Sequence, residues 1–112
     1  MGPATPATLA TPLTVQPLRD RPGAQLSGSC DLDSRQALVA ALGVVTAIPG
    51  PVVHLDLSAV VFLDTAAVAA LARAAAALSR QGRRLLLHDP PHSLRKVVEM
   101  FPDECAALEV AA

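Results

Sequence analysis

Several residue sets in this chain carry groups that could do chemistry. His54, Asp56 and Ser58 supply a base, an acid and a nucleophile. His54 and Asp56 alternate along an apolar run, VVHLDL, that reads as a strand, so they share one face, and Ser58 follows it. A working triad needs an acid that orients the base and a base that faces the nucleophile. No G-x-S-x-G elbow accompanies these residues, and we read a histidine at the edge of the core beside a capping Asp and Ser. His88, Asp89 and His92 are separated by Pro90 and Pro91 and follow no standard metal-ligand spacing. They read as a loop at a strand end, and no metal is expected. Asp56 and Asp64 would make a phosphoaspartate pocket only with a further acidic cluster and a Lys at a later strand end, and Arg84 to His88 contains no Lys. Gly28, Gly43, Gly50 and Gly82 form no G-x-G loop for a phosphate. The expectation is a protein without catalytic residues or cofactor, and not an enzyme.

Asp64-Thr65 is the most informative pair. It stands between an apolar connection, Ser58 to Leu63, and a strongly helical segment, Ala66 to Arg80. One of the two caps the helix, worth about 1 kcal/mol, and the Thr65 hydroxyl is expected to face solvent. A phosphate attached there would meet unpaired amides and the positive end of the helix dipole. Its effect would fall on a partner docked over that helix end, with no refolding.

The elements that must position this pair follow from periodicity. Met1 to Pro12, rich in Pro, Ala and Thr, is expected to be a flexible leader, with one domain from 13 to 112. Leu13 to Leu18 alternates as a strand, with Pro17 favouring an edge, and Ala24 to Ser29 returns beside it as a hairpin. Asp31-Leu32-Asp33-Ser34 offers helix caps, and Leu38, Ala41, Leu42 and Val45 recur at helical spacing before Pro49-Gly50-Pro51 ends the element. Val52 to Leu57 and Arg84 to His88 read as strands covered on both faces. Between them Val68, Leu71, Ala75 and Leu78 form one helical stripe, stopped by Gly82. Ser93 is expected to cap a helix carrying Leu94, Val97, Val98 and Phe101. Ala106 to Val110 is a last strand or helix. Alternating strands and helices imply an α/β domain with a small mixed sheet, an N-terminal hairpin plus parallel strands flanked by helices.

Composition bounds the partners. With 112 residues, 52% hydrophobic and 17% charged, the chain can fill one core. Its net charge of -1 offers no basic field for nucleic acid, and two Phe with no Trp or Tyr offer little for base stacking. Cys30 and Cys105 have no further ligands at metal spacing and read as ordinary reduced thiols. No apolar run reaches the roughly eighteen residues of a membrane helix. Met1-Gly2 lacks the rest of a myristoylation signal, and no secretory signal is evident, so the expected location is the cytoplasm.

The run Asp56-Leu57-Ser58-Ala59-Val60-Val61-Phe62-Leu63-Asp64-Thr65-Ala66-Ala67-Val68 resembles the D-L-S-x-V-x-F-x-D-S-[ST]-G-L signature of STAS domains, found in anti-sigma-factor antagonists and sulphate transporters. Leu26 to Asp33 is similar to the L-x-G-x-L-D-L stretch before that family's first helix, and Gly82 to Leu87 to its later strand. The Val97 to Phe101 helix fits as well. Ala66 replaces the family's second hydroxyl residue, Ala67 its Gly and Val68 its Leu. The resemblance implies the same mixed sheet. It also implies an anti-sigma-factor antagonist that binds an anti-sigma factor, often a serine/threonine kinase, which phosphorylates Thr65. Partner contacts would then involve Asp64, Thr65, Ala66, Ala67, Ser58 and Asp31, in a monomer or weak dimer. The other reading is an unphosphorylated accessory subunit of a transporter or signalling assembly.

Overall fold

The computed structural model describes residues 13–30 and 34–111. Within them five strands and three helices alternate: β1 (Thr14–Pro17), β2 (Gly23–Cys30), α1 (Arg35–Ala47), β3 (Val52–Leu63), α2 (Thr65–Arg80), β4 (Arg84–His88), α3 (His92–Met100) and β5 (Glu109–Val110). The expected leader, Met1 to Pro12, and the expected caps Asp31 and Asp33 lie outside the described residues. The strands lie side by side in chain order, with β1 antiparallel to β2 and every later pair parallel. This is the mixed sheet with an N-terminal hairpin that the sequence implies, and Pro17 lies on its edge strand.

That strand order decides where the helices go. Parallel crossovers are right-handed, and each step here moves to the next strand in the same direction. The three described helices therefore pack on one face of the sheet. Their buried residues join Leu26, Val53, Leu55, Leu57, Leu85 and Leu87 in a single core. On α2 the stripe of Val68, Leu71, Ala75 and Leu78 is at most 1% exposed. The expectation that β3 and β4 are covered on both faces is corrected here. Val52, His54, Asp56, Leu86 and His88 point away from the helices and are only half-buried.

The open face is satisfied laterally, by polar pairs between neighbouring strands. The Thr14 and Ser27 hydroxyls lie 2.8 Å apart, and the Gln25 amide donates to the Asp56 carboxylate at 3.3 Å. His54 meets His88, and Arg84 binds Glu109 through both carboxylate oxygens.

The connections follow their local chemistry. Gly82, at φ +72°, ends α2 as a left-handed cap, and the Arg83 amide returns to the Leu78 carbonyl at 2.9 Å. The Arg83 guanidinium donates to the carbonyls of Thr46, Ile48 and Gly50, which pins the end of α1 to the start of β4. Ser34 stands at the start of α1, and its hydroxyl donates to the Ser29 carbonyl at 2.7 Å. Pro91, and not Ser93, is the N-cap of α3. The C-terminal apolar piece is a strand, but only Glu109–Val110, after a stretch of turns. Cys30 and Cys105 are both buried, with no disulfide between them.

Gly23 has no room for a side chain, because an added Cβ would stand 2.0 Å from the His54 carbonyl oxygen. Gly23→Ala should therefore push β2 off β3 and destabilise the domain by about 3 kcal/mol, read as a lower urea midpoint. An unchanged midpoint would mean that the β2–β3 contact is looser than described.

Candidate partner-binding site

The site is built at the end of β3. The sequence reading took Ser58 to Leu63 as a connection, whereas the strand continues through it to Leu63. The register against β2 slips twice. Gln25 faces Asp56 while Ser27 faces Ala59, and Gly28 faces Val60 while Ser29 faces Phe62. Each slip gives β3 one extra residue, a bulge that bends and twists the strand. Past Leu57 the buried positions are Val60 and Leu63, while Ala59, Val61 and Phe62 face outward. Val61 is 71% and Phe62 46% exposed, an apolar pair presented just before the helix.

Two hydrogen bonds then hold the strand end. The Leu63 amide donates to the Ser93 hydroxyl of α3 at 3.0 Å, and the Asp64 amide donates to the Cys30 carbonyl of β2 at 3.0 Å. Asp64 caps α2. Its backbone is extended, and its Oδ1 accepts the Ala67 amide at 2.8 Å. Its Oδ2 lies 3.5 Å from Nη2 of Arg35 on α1, a long ion pair between partly exposed groups. Arg35 was missed by the sequence reading, and Ser93 was expected only as a cap of its own helix. Only pairing across about thirty positions brings them here, and no local pattern signals it.

Thr65 is the first residue of α2 and is exposed, as expected. Its hydroxyl makes no hydrogen bond with a described residue, and a first-turn amide has no partner within the helix. Beside it runs a largely apolar groove of about 220 Å³, lined by Thr65, Ala69, Val97, Phe101, Glu104 and Cys105. Burial, then the neighbouring Glu104 carboxylate, pushes the Cys105 thiol up from its ordinary value, so it is protonated and structural. Met100 and Phe101, 61% and 41% exposed, extend the apolar surface at the end of α3.

The other expected contacts divide. Ala66 is half-buried beside Thr65. Ala67 is 1% exposed, so its methyl group belongs to the core and reaches no partner directly. Ser58 is exposed on β3, and its amide donates to the Asp56 carboxylate at 2.8 Å. Asp31 lies outside the described residues. His54, Asp56 and Ser58 build no triad, because His54 pairs with His88 while the Asp56 carboxylate is taken by Ser58 and Gln25.

A family model described as "Mlab, STAS domain" matches residues 13–102, from the residue before β1 to just past α3. The chain belongs to the STAS-domain family. A search of curated proteins finds no match to this sequence. Among solved structures, an anti-sigma factor antagonist from Mycobacterium paratuberculosis aligns at TM-score 0.67 and 24% identity, over 89% of this chain and 86% of that one. The anti-sigma factor antagonist SpoIIAA in its unphosphorylated form gives 0.60 and 16%, over 89% and 88%. Bacillus SpoIIAA in its phosphorylated form gives 0.61 and 16%, over 89% and 91%. At these identities the likeness is one of fold. Among the described residues of this STAS domain, no helix is long and apolar enough to cross a membrane.

Two outcomes test this geometry. Removing the cap by Asp64→Ala should cost about 1 kcal/mol, and Ser93→Ala a similar amount, about 1–2 kcal/mol, by orphaning the Leu63 amide, both read by chemical denaturation. The second concerns acid. Burial alone would raise the Asp56 carboxyl, but hydrogen bonds from the Ser58 amide and hydroxyl and from Gln25, with the charge of His88, leave it below its ordinary value. A depressed carboxyl contributes stability that is complete above the unfolded value and is lost as pH falls towards the folded one. Asp56→Asn should therefore flatten the loss of stability between about pH 5 and pH 2; a variant as acid-sensitive as the parent would show that Asp56 contributes nothing to it.

Proposed function

We propose that this STAS domain is an anti-sigma-factor antagonist: a cytoplasmic regulator, not an enzyme, that binds an anti-sigma factor and is switched by phosphorylation of Thr65. Supporting this most directly is an exposed, unbonded hydroxyl on the first turn of a helix whose cap is another residue. Because Asp64 does the capping, Thr65 is available for modification without cost to the fold. Val61, Phe62 and the groove beside Thr65 supply apolar surface for a protein partner, with Asp64, Ala66 and Ser58 as polar or small contacts around it. The anti-sigma factor is also the proposed serine/threonine kinase. A phosphate on Thr65 would be nearly dianionic at the positive end of α2. It would leave the helix in place and act on the docked partner, where like charge and desolvation cost several kcal/mol. That SpoIIAA, with this fold, has been solved in both phosphorylated and unphosphorylated forms is consistent with a switch of this kind.

The alternative, a constitutive accessory subunit of a larger assembly, draws on a specific observation. The Glu104 carboxylate lines the same groove as Thr65, and Asp64 adjoins it, so a phosphate would be flanked by like charge. The match to the Mlab-type family model is compatible with it.

Intact-mass measurement of protein from its native cells, beside Thr65→Ala, separates the two. An added phosphate in the parent that is missing from the variant supports the switch. Thr65→Ala should stay within about 0.5 kcal/mol of parental stability, and Thr65→Glu should weaken partner binding by about a hundredfold, or about 2.8 kcal/mol. A co-purified complex that carries no phosphate and ignores Thr65→Glu would replace the antagonist reading with the accessory one.

A further inference from the structure

One cluster of ligating side chains lies outside the partner site, on the open face of the sheet. His54 of β3 and His88 of β4 approach nitrogen to nitrogen, with Nδ1 of His54 2.9 Å from Nε2 of His88. Their ring centroids are 5.1 Å apart and the planes tilted by 32°. The register creates this meeting. His54 faces Leu86 and Asp56 faces His88, so the imidazoles are diagonal neighbours on one face. We propose that His54 and His88 form a surface chelate for a divalent transition ion that favours imidazole: copper(II), nickel(II) or zinc(II).

The spacing suits that chemistry. Metal–imidazole bonds are about 2.0–2.1 Å, which puts two nitrogens on adjacent corners of a square or octahedron about 2.9 Å apart. In the metal-free pair one ring donates its N–H and the other accepts. To bind an ion, the donor ring moves that proton to its other nitrogen through solvent, and both lone pairs turn outward to the metal. A neutral pair gives up no net proton, whereas a protonated pair must release one. The Asp56 carboxylate opposite His88 offsets some of the ion's charge. No group of three or more His, Cys, Asp or Glu forms a metal-holding set among the described residues, so water completes the coordination.

The test uses the full chain without a polyhistidine tag, titrated calorimetrically with nickel chloride at neutral pH, with magnesium chloride as control. One nickel ion should bind per chain, and magnesium should not. His54→Gln and His88→Gln should each weaken nickel binding about tenfold or more, while His92→Gln leaves it unchanged. Amide signals of the parent should broaden around residues 54 and 88 on adding substoichiometric nickel. This last readout decides the matter even where a variant fails to fold. No saturable one-to-one binding, broadening centred elsewhere, or equal loss in His92→Gln would overturn the proposal.

Discussion

Parallel pairing of β3 with β2 is the constraint on which the rest of this domain depends. Ten residues of β3, from His54 to Leu63, must run beside the eight of β2. The two extra residues are absorbed as bulges, and the bulges change the interval between buried positions from two to three. That change lets Val60 and Leu63 stay in the core while Ala59, Val61 and Phe62 turn to solvent. It also brings the strand end to the Cys30 carbonyl and the Ser93 hydroxyl. Asp64 is thereby held where it can cap α2, and Thr65 emerges as the first residue past the cap. A flat, regular strand of the same length would bury a different set of side chains and aim the helix elsewhere.

Much of this was legible in the sequence wherever a signal is local. The stripe on α2 repeats at helical spacing and its terminating glycine is unambiguous, so that helix could be read almost residue by residue. The hairpin was marked by the alternation of Leu13 to Leu18, with Pro17 at the edge, and by the returning run Ala24 to Ser29. The exposure of Thr65 followed from its place between an apolar run and a helix. The far half of β3 was different, because an interval of three matches neither a regular strand nor a helix. It therefore read as a connection.

What stayed hidden is what the sheet assembles from distant positions. Arg35 and Ser93 reach Asp64 and Leu63 through strand order, and neither residue type announces such a role. A serine near a helix start serves equally well as a cap or as an acceptor for another strand, and here the second use prevails. His54 and His88 sat in separate local motifs, each dismissed on its own spacing, and only the β3–β4 register makes them neighbours. The view of both strands as doubly covered failed for a related reason. A leucine-rich run shows that one face is buried but does not say how many helices are available, nor on which side chirality sends them.

The consequence of the one-sided arrangement reaches past stability. Among the described residues, every large side chain that holds the helices points one way, and the back of the sheet carries cross-strand pairs that lean on each other. Substitution there alters what the molecule displays without disturbing what it packs. The plate thus has a packing side and a display side: a change on the helix side is felt through the core, whereas a change on the back alters the groups presented to solvent.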